Sequence, residues 1–306
     1  MTESTALPAE PAREPAREPA REPAREPASE PAGEMSRELG RKLDLLDDEL
    51  RRIGRVVIAF SGGADSAFLA HRAHLVLGPA AAHAVTAVSP SLAGAEEADC
   101  RDLAAEWGLR WTPVATDEMA RAAYRANDID RCYHCKAELM DVVGPIAAGE
   151  NATVVLGVNI DDLGEHRPGQ AAADERGGAF PMVTAGLTKT DIRALSEAAG
   201  LRTWDKPAAA CLASRVPYGT AVSVGILSRV DRAEAALHAL GLRQLRVRHY
   251  DDTARIEVDL DDLVLVMERR EAVVTAVKAT GYRYVTLDLE GFRSGNLNDG
   301  HVGSRR

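Results

Sequence analysis

Apolar positions along the chain recur in two rhythms. Leu39, Leu43, Leu45, Leu46, Leu50 and Ile53 fall at helical spacing with charges between them, which predicts a helix over 36–53. Immediately afterwards Val56-Val57-Ile58-Ala59-Phe60 is continuously apolar, the pattern of a parallel strand buried on both faces. The rhythms then alternate: helix 67–77, strand 83–88, helix 93–107, strand 110–114, helix 133–143 and a buried strand over 152–158. Strands alternating with helices predict an α/β fold, a doubly wound parallel sheet. From about Val222 the order changes. A helix over 222–240 precedes two alternating strands, 243–249 and 254–258, joined by Tyr250-Asp251-Asp252-Thr253. Two short helices within 261–280 and a strand over 282–287 complete a smaller α+β module. The expected organisation is a tail over 1–34, an α/β domain over 35–221, a substrate or oligomerisation domain over 222–293, and a loose end over 294–306.

Composition explains why the tail is set apart. Residues 9–32 repeat Ala-Arg-Glu-Pro with small variations, and residues 1–34 hold seven of the 15 prolines with almost no large apolar side chain. A proline every fourth residue removes backbone donors and blocks continuous helix. Little apolar surface is present to offset the entropy of ordering, so a disordered, partly extended tail is expected; a dispensable extension is the favoured reading and a spacer or docking arm the competing one.

The 306 residues carry 37 basic and 47 acidic side chains, a net charge of −10, and four cysteines. Beyond residue 34 the balance is 33 basic to 39 acidic, net −6. An acidic balance without a long Lys/Arg block argues against a nucleic-acid partner. No run of 18 apolar residues predicts a membrane span. The start lacks the apolar stretch of a secretory signal, so a cytoplasmic location is expected. Four cysteines in a chain this long are not a disulfide framework; they point to metal binding, catalysis or burial.

The chemistry concentrates in two places. Ser61-Gly62-Gly63-Ala64-Asp65-Ser66 joins a buried strand to a helix. Its glycines let the backbone approach an anion closely, the helix amides supply donors, and the Ser61 and Ser66 hydroxyls can add more. It lacks the lysine of the Walker A pattern and resembles instead the PP-loop of ATP pyrophosphatases, which cleave between the α and β phosphates. That likeness implies adenine against the end of the second strand, near Val88 and Ser89. Asp65 could orient the loop or help hold Mg²⁺. Asp161 and Asp162 follow a buried strand at its carboxyl end, where ligands of such sheets bind, and carboxylates suit Mg²⁺.

The second place is the thiols. Cys211 lies between Lys206 and Arg215 in a stretch of prolines and small residues. Nearby cations raise a thiol's thiolate fraction and could equally bind phosphate; burial as a small apolar residue is the competing reading. Cys132 and Cys135 are two residues apart, a spacing that suits a metal, an iron–sulfur cluster or a redox disulfide. Cys100 sits at core spacing with Leu103, Ala104 and Trp107. Arg246 and Arg248 are two apart on a predicted strand, so they share a face on which two guanidinium forks suit a phosphate.

These segments in this order resemble the LarE family of ATP-dependent sulfur transferases. The likeness rests on Asp205–Gly219 around Cys211, on Arg131-Cys132-Tyr133-His134-Cys135-Lys136, and on Gly157-Val158-Asn159-Ile160-Asp161-Asp162 followed by Arg167-Pro168-Gly169. It covers about 38–291. It implies ATP and Mg²⁺, a homo-oligomer, and a pyridinium mononucleotide substrate whose carboxylates become thiocarboxylates. Cys211 would supply the sulfur and end as dehydroalanine. In a second branch Cys132, Cys135 and Cys211 would hold a [4Fe-4S] cluster and the transfer would be catalytic. Arg246, Arg248, Arg215, Lys206 and Arg167 are the implied phosphate-binding residues; Glu234 on the preceding helix could add a substrate contact, with exposed helix surface the competing and favoured reading. A tRNA thiolase and an amide-forming synthetase share the loop; the first needs a basic RNA surface and the second needs no thiol. A nucleotide-sensing module would leave the Cys211 segment unexplained.

Overall fold

The computed structural model describes residues 32–164, 168–207 and 210–293. The repeat tail therefore lies outside the described residues except for 32–34, and so do Arg167 and the end over 294–306. The elements are α1 (Ala32–Ile53), β1 (Val56–Ala59), α2 (Ala64–Leu77), β2 (Ala82–Val88), α3 (Gly94–Trp107), β3 (Arg110–Ala115), α4 (Ala122–Ala126), α5 (Arg131–Gly149), β4 (Thr153–Leu156), α6 (Pro168–Asp174), α7 (Pro181–Thr184) and α8 (Lys189–Ala198). There follow α9 (Val224–Ala239), β5 (Leu245–Tyr250), β6 (Thr253–Val258), α10 (Leu263–Glu268), α11 (Arg270–Ala279) and β7 (Tyr284–Leu287).

The first four strands form one parallel sheet in the order β3-β2-β1-β4. Successive side chains of a strand point to opposite faces, and here both faces are covered. Val56 and Ile58 pack with Leu46 and Leu50 of α1, Phe68 and Leu69 of α2 and Ile192 of α8. Val57 faces the other way, onto Leu139, Met140 and Val143 of α5. That two-sided burial is why β1 reads as unbroken hydrocarbon. With β1 central, its carboxyl end opens directly into the glycine loop.

Several expectations shift at their edges. The first helix begins at Ala32 rather than 36, and α2 starts at Ala64, with Gly63 as its N-cap. The fifth helix runs on to Gly149 through Pro145. Between 160 and 207, where no element was predicted, lie α6, α7 and α8; the last opens with a capping box between Thr188 and Asp191.

The last three strands form a separate sheet, β5-β6-β7, with β5 and β6 antiparallel and β6 and β7 parallel. It packs on α9 and α11 through Ala233, Leu237, Val247, Ile256, Val273 and Val277. A small cluster links the two halves: Tyr124, Leu212, Ala213 and Val216 pack against Val222, Leu227 and Val230. No helix among the described residues is long and apolar enough to cross a membrane.

Candidate active site

The phosphate-loop candidates form a cradle at the end of β1. Gly62 has φ +69°, and a Cβ there would meet Cys100 Sγ at 2.9 Å, so the position needs glycine on two counts. Gly157, just past β4, is tighter. Its added Cβ would stand 2.8 Å from both Cα and N of Ser66, which is backbone and cannot swing aside. The first turn of α2 is thus seated against β4. Ser66 Oγ donates to the Gly63 carbonyl at 3.1 Å and accepts from the Ser61 amide at 3.2 Å, with Ser61 Oγ 3.1 Å away. Beneath the loop, burial pushes the Cys100 thiol up to about 11, in keeping with its expected core position.

Over this edge of the sheet lies a cavity of about 340 Å³. It brings together Ser61 and Ser66 from the loop, Ser89 from the end of β2, and Cys135, Lys136 and Cys211. Gly63 and Asp65 belong to the same loop and the first turn of α2. Val88 closes β2, its carbonyl accepting the Thr116 amide at 3.0 Å. Cys132 is exposed, one helical turn before half-buried Cys135 on α5.

The Cys211 segment is held mainly through its backbone. The Leu212 amide donates to the Ser91 carbonyl at 2.9 Å. Arg215 Nη1 reaches back to the carbonyls of Ala210 (2.5 Å) and Cys211 (3.1 Å). Arg131 Nη1 donates to the Ala213 carbonyl at 2.8 Å and to Asn127 Oδ1. Asn127 Nδ2 in turn ties the carbonyls of Pro217 and Thr220 at 2.8 and 2.9 Å. Burial opposes the Arg131 charge, but the thiols of Cys211 and Cys132 outweigh it, so its pKa is raised. Arg131 is thus a buried cation tied to the Cys211 segment. Burial, with the Cys211 thiol nearby, drives Cys135 up to about 12. Tyr124, fully buried against Cys211 and Cys135, bonds Ser91 Oγ at 2.5 Å.

The basic candidates are less open than their sequence positions imply. Lys206 Nζ holds Glu96 (2.8 Å), Asp99 (2.6 Å) and the Gly62 carbonyl (3.1 Å), so it ties α3 to the loop. Arg215 forms a two-pronged pair with Glu234 at 2.9 Å on each prong. Arg248 pairs with Glu257 and donates to the Ser214 carbonyl at 2.8 Å. Arg246 stacks over Phe292 at 5.1 Å. Burial and the neighbouring Arg215 and Arg248 cations pull its pKa down to about 10. The three arginines lie close together beside the Cys211 segment, two of them held by Glu234 and Glu257.

The metal candidates divide. Asp161 accepts the Lys189 amide at 2.8 Å, and Asp162 accepts the Asn159 amide at 3.2 Å and lies 3.5 Å from Lys189 Nζ. Neither is among the residues that line the cavity. The three thiols are a suitable donor set for an iron–sulfur cluster, and their charges act on one another. Yet among the described residues no three His, Cys, Asp or Glu side chains are gathered closely enough to hold a single metal ion. Glu118, Tyr124 and Asn127 were not apparent from any motif; only Asn127, left-handed at φ 57° after α4, has a signal, as a residue type that ends helices.

A parallel sheet with a lysine-free glycine loop between its central strand and the next helix, facing a thiol across a cavity, defines a PP-loop α/β protein. No family model matches the chain. It is 36% identical over 254 residues, 82% of this chain and 91% of the relative, to the pyridinium-3,5-bisthiocarboxylic acid mononucleotide synthase of Lactiplantibacillus plantarum. An uncharacterized protein of Synechocystis sp. is 45% identical over 250 residues, 80% of this chain and 92% of its own length. Another, from Methanocaldococcus jannaschii, is 26% identical over 241 residues, 78% and 91% of the two chains. The chain belongs to the LarE family.

Proposed function

We propose that this protein is an ATP-dependent sulfurtransferase that converts carboxylates of a pyridinium mononucleotide to thiocarboxylates, with Cys211 as sulfur source. One observation carries the reading: the phosphate-loop hydroxyls and the Cys211 side chain line the same cavity. A carboxylate resists thiolysis because its oxygen is a poor leaving group. A carboxylate oxygen attacks the α-phosphorus of ATP and pyrophosphate departs, giving an acyl-adenylate; the loop amides and the Ser61 and Ser66 hydroxyls receive the phosphate charge. The Cys211 thiolate then attacks the acyl carbon and AMP leaves. Loss of the Cys211 Cα proton forms a Cα=Cβ double bond as the Cβ–S bond breaks. The electron pair of that bond stays with sulfur, so a thiocarboxylate and a dehydroalanine result.

Mg²⁺ would screen the phosphates during the first step. On this reading Arg215, Arg246 and Arg248 would hold the substrate's own phosphate, with the module over 222–293 as its platform. The reading also carries a cytoplasmic homo-oligomer; exposed Leu260, Val264, Met267 and Leu289 on that module suit contact between copies.

Intact-mass spectrometry after turnover tests the sulfur source. We expect each chain to lose the mass of one H₂S, and Cys211→Ala to keep releasing pyrophosphate without forming thiocarboxylate. Product made over many turnovers at unchanged chain mass would instead favour the cluster branch, to which Cys135 in the same cavity lends its support.

A further inference from the structure

Glu118 is a charged group in the cavity with no part in that chemistry. In the 3-10 turn after β3, it is 2% exposed and lines the cavity beside Ser89. Its Oε1 accepts from Ser89 Oγ at 2.5 Å and its Oε2 from Thr116 Oγ1 at 3.2 Å. Among the described residues no basic side chain pairs with it. A carboxylate has about four acceptor positions, so two neutral hydroxyls leave half of them open. A buried charge is costly unless paired and fully hydrogen-bonded. The remaining donors must come from what fills the cavity.

Position narrows the donor. Along the sheet's carboxyl edge, β3 is two strands from β1, roughly 10 Å at the usual strand spacing. A ligand whose phosphates sit on the β1 loop would present its sugar or base, not its phosphates, to Glu118. Adenine offers a single exocyclic amine as donor. A ribose offers two adjacent hydroxyls, which match the two oxygens of one carboxylate, a pairing that dinucleotide folds also use. A cation is a poorer match, since no three acidic, His or Cys side chains converge there among the described residues.

We propose that Glu118 recognises the ribose cis-diol of the bound nucleotide, with Ser89 and Thr116 holding its carboxylate in place. The inference rests on the nucleotide-binding reading. Both ATP and a pyridinium mononucleotide carry such a diol, and the test separates them.

Calorimetric titration of the full chain with ATP and with 2′,3′-dideoxy-ATP comes first, and needs no variant. Losing hydrogen bonds to a charged group should weaken binding on the order of 10- to 100-fold. The Glu118→Gln variant should then bind ATP about as weakly as wild type binds the dideoxy nucleotide, and discriminate little between the two. If the diol belongs to the mononucleotide, Glu118→Gln keeps its ATP affinity. It then raises KM for the mononucleotide by a similar factor, and wild type discriminates against the deoxyribose form. Equal binding of all sugar forms by wild type, or a Glu118→Gln loss that adds in full to the deoxy loss, overturns the proposal. A wild type that binds no ATP at all would instead sink the nucleotide reading beneath it.

Discussion

Glu234→Gln is the sharpest probe of how the Cys211 segment is fixed. The Arg215 and Glu234 side chains are only 5% and 8% exposed, and both prongs of the pair measure 2.9 Å. Glu234 Oε1 also accepts the Val247 amide at 2.9 Å. Glutamine keeps the shape and one acceptor but removes the charge, leaving a buried guanidinium uncompensated. Breaking one side of a buried pair costs about 3–5 kcal/mol, and the retained amide oxygen favours the lower end. With a urea dependence near 2 kcal/mol/M, about 3 kcal/mol lowers the unfolding midpoint by roughly 1.5 M.

The double variant Arg215→Met/Glu234→Leu replaces the pair by hydrocarbon and should regain most of that loss, because neither charge is then stranded. It should not regain sulfur transfer, since the carbonyls of Ala210 and Cys211 have lost their donor. Pyrophosphate release should persist in both variants. Urea titration and a thiocarboxylate assay decide the matter. A Glu234→Gln protein within 0.5 kcal/mol of wild type, or a double variant no more stable than the single one, would refute the reasoning.

Gly157→Ala should force the first turn of α2 off β4, because the new methyl stands 2.8 Å from Ser66 backbone. Overpacking of about 1–3 kcal/mol, felt at the cradle, means roughly 5- to 150-fold weaker ATP binding by calorimetry. Unchanged affinity would show that the cradle is not where the nucleotide sits. Alkylation by iodoacetamide at pH 8, read by peptide mass, should label exposed Cys132 well before Cys135 and Cys100, whose thiols burial raises to about 12 and about 11. The same shifts bear on stability. Both thiols exceed their ordinary value of 9.0 when folded, so above pH 9 the unfolded chain sheds protons that the folded chain keeps. Stability should therefore fall from about pH 9 upward, and a thermal midpoint that rises over pH 9–11 would contradict the assigned burial.

The sheet was legible because its central strand is buried on both faces: Val56 through Phe60 cannot be read as a half-exposed element. The loop after it was legible because close backbone approach demands glycine, and Gly62 and Gly63 stand where a strand ends. The stretch from 160 to 207 was harder. Its helices are short, α7 has four residues, and their starts are marked by little more than Pro181 and the Thr188–Asp191 box. Charges were hardest of all. Lys206 and Arg215 flank Cys211 in the sequence, yet each is drawn to carboxylates on other elements: Glu96 and Asp99 on α3, Glu234 on α9. The buried cation that holds the backbone just after the sulfur is Arg131, some 80 positions earlier. Sequence proximity reports chain neighbours, whereas a side chain this long chooses its partner in space.

The way the segment around residue 211 is fastened bears on what becomes of a used molecule. Arg131, Arg215 and Arg248 grip peptide oxygens at 210, 211, 213 and 214, and Ser91 receives the amide of Leu212. None of these attachments uses the Cys211 sulfur, so on the proposed sacrificial route they would be kept when it is lost. A chain that has surrendered it would stay as well folded as a fresh one and compete for the same nucleotide. Cells relying on a single-use donor would then have to clear exhausted copies by recognising an altered residue, because quality control that senses misfolding would pass them over.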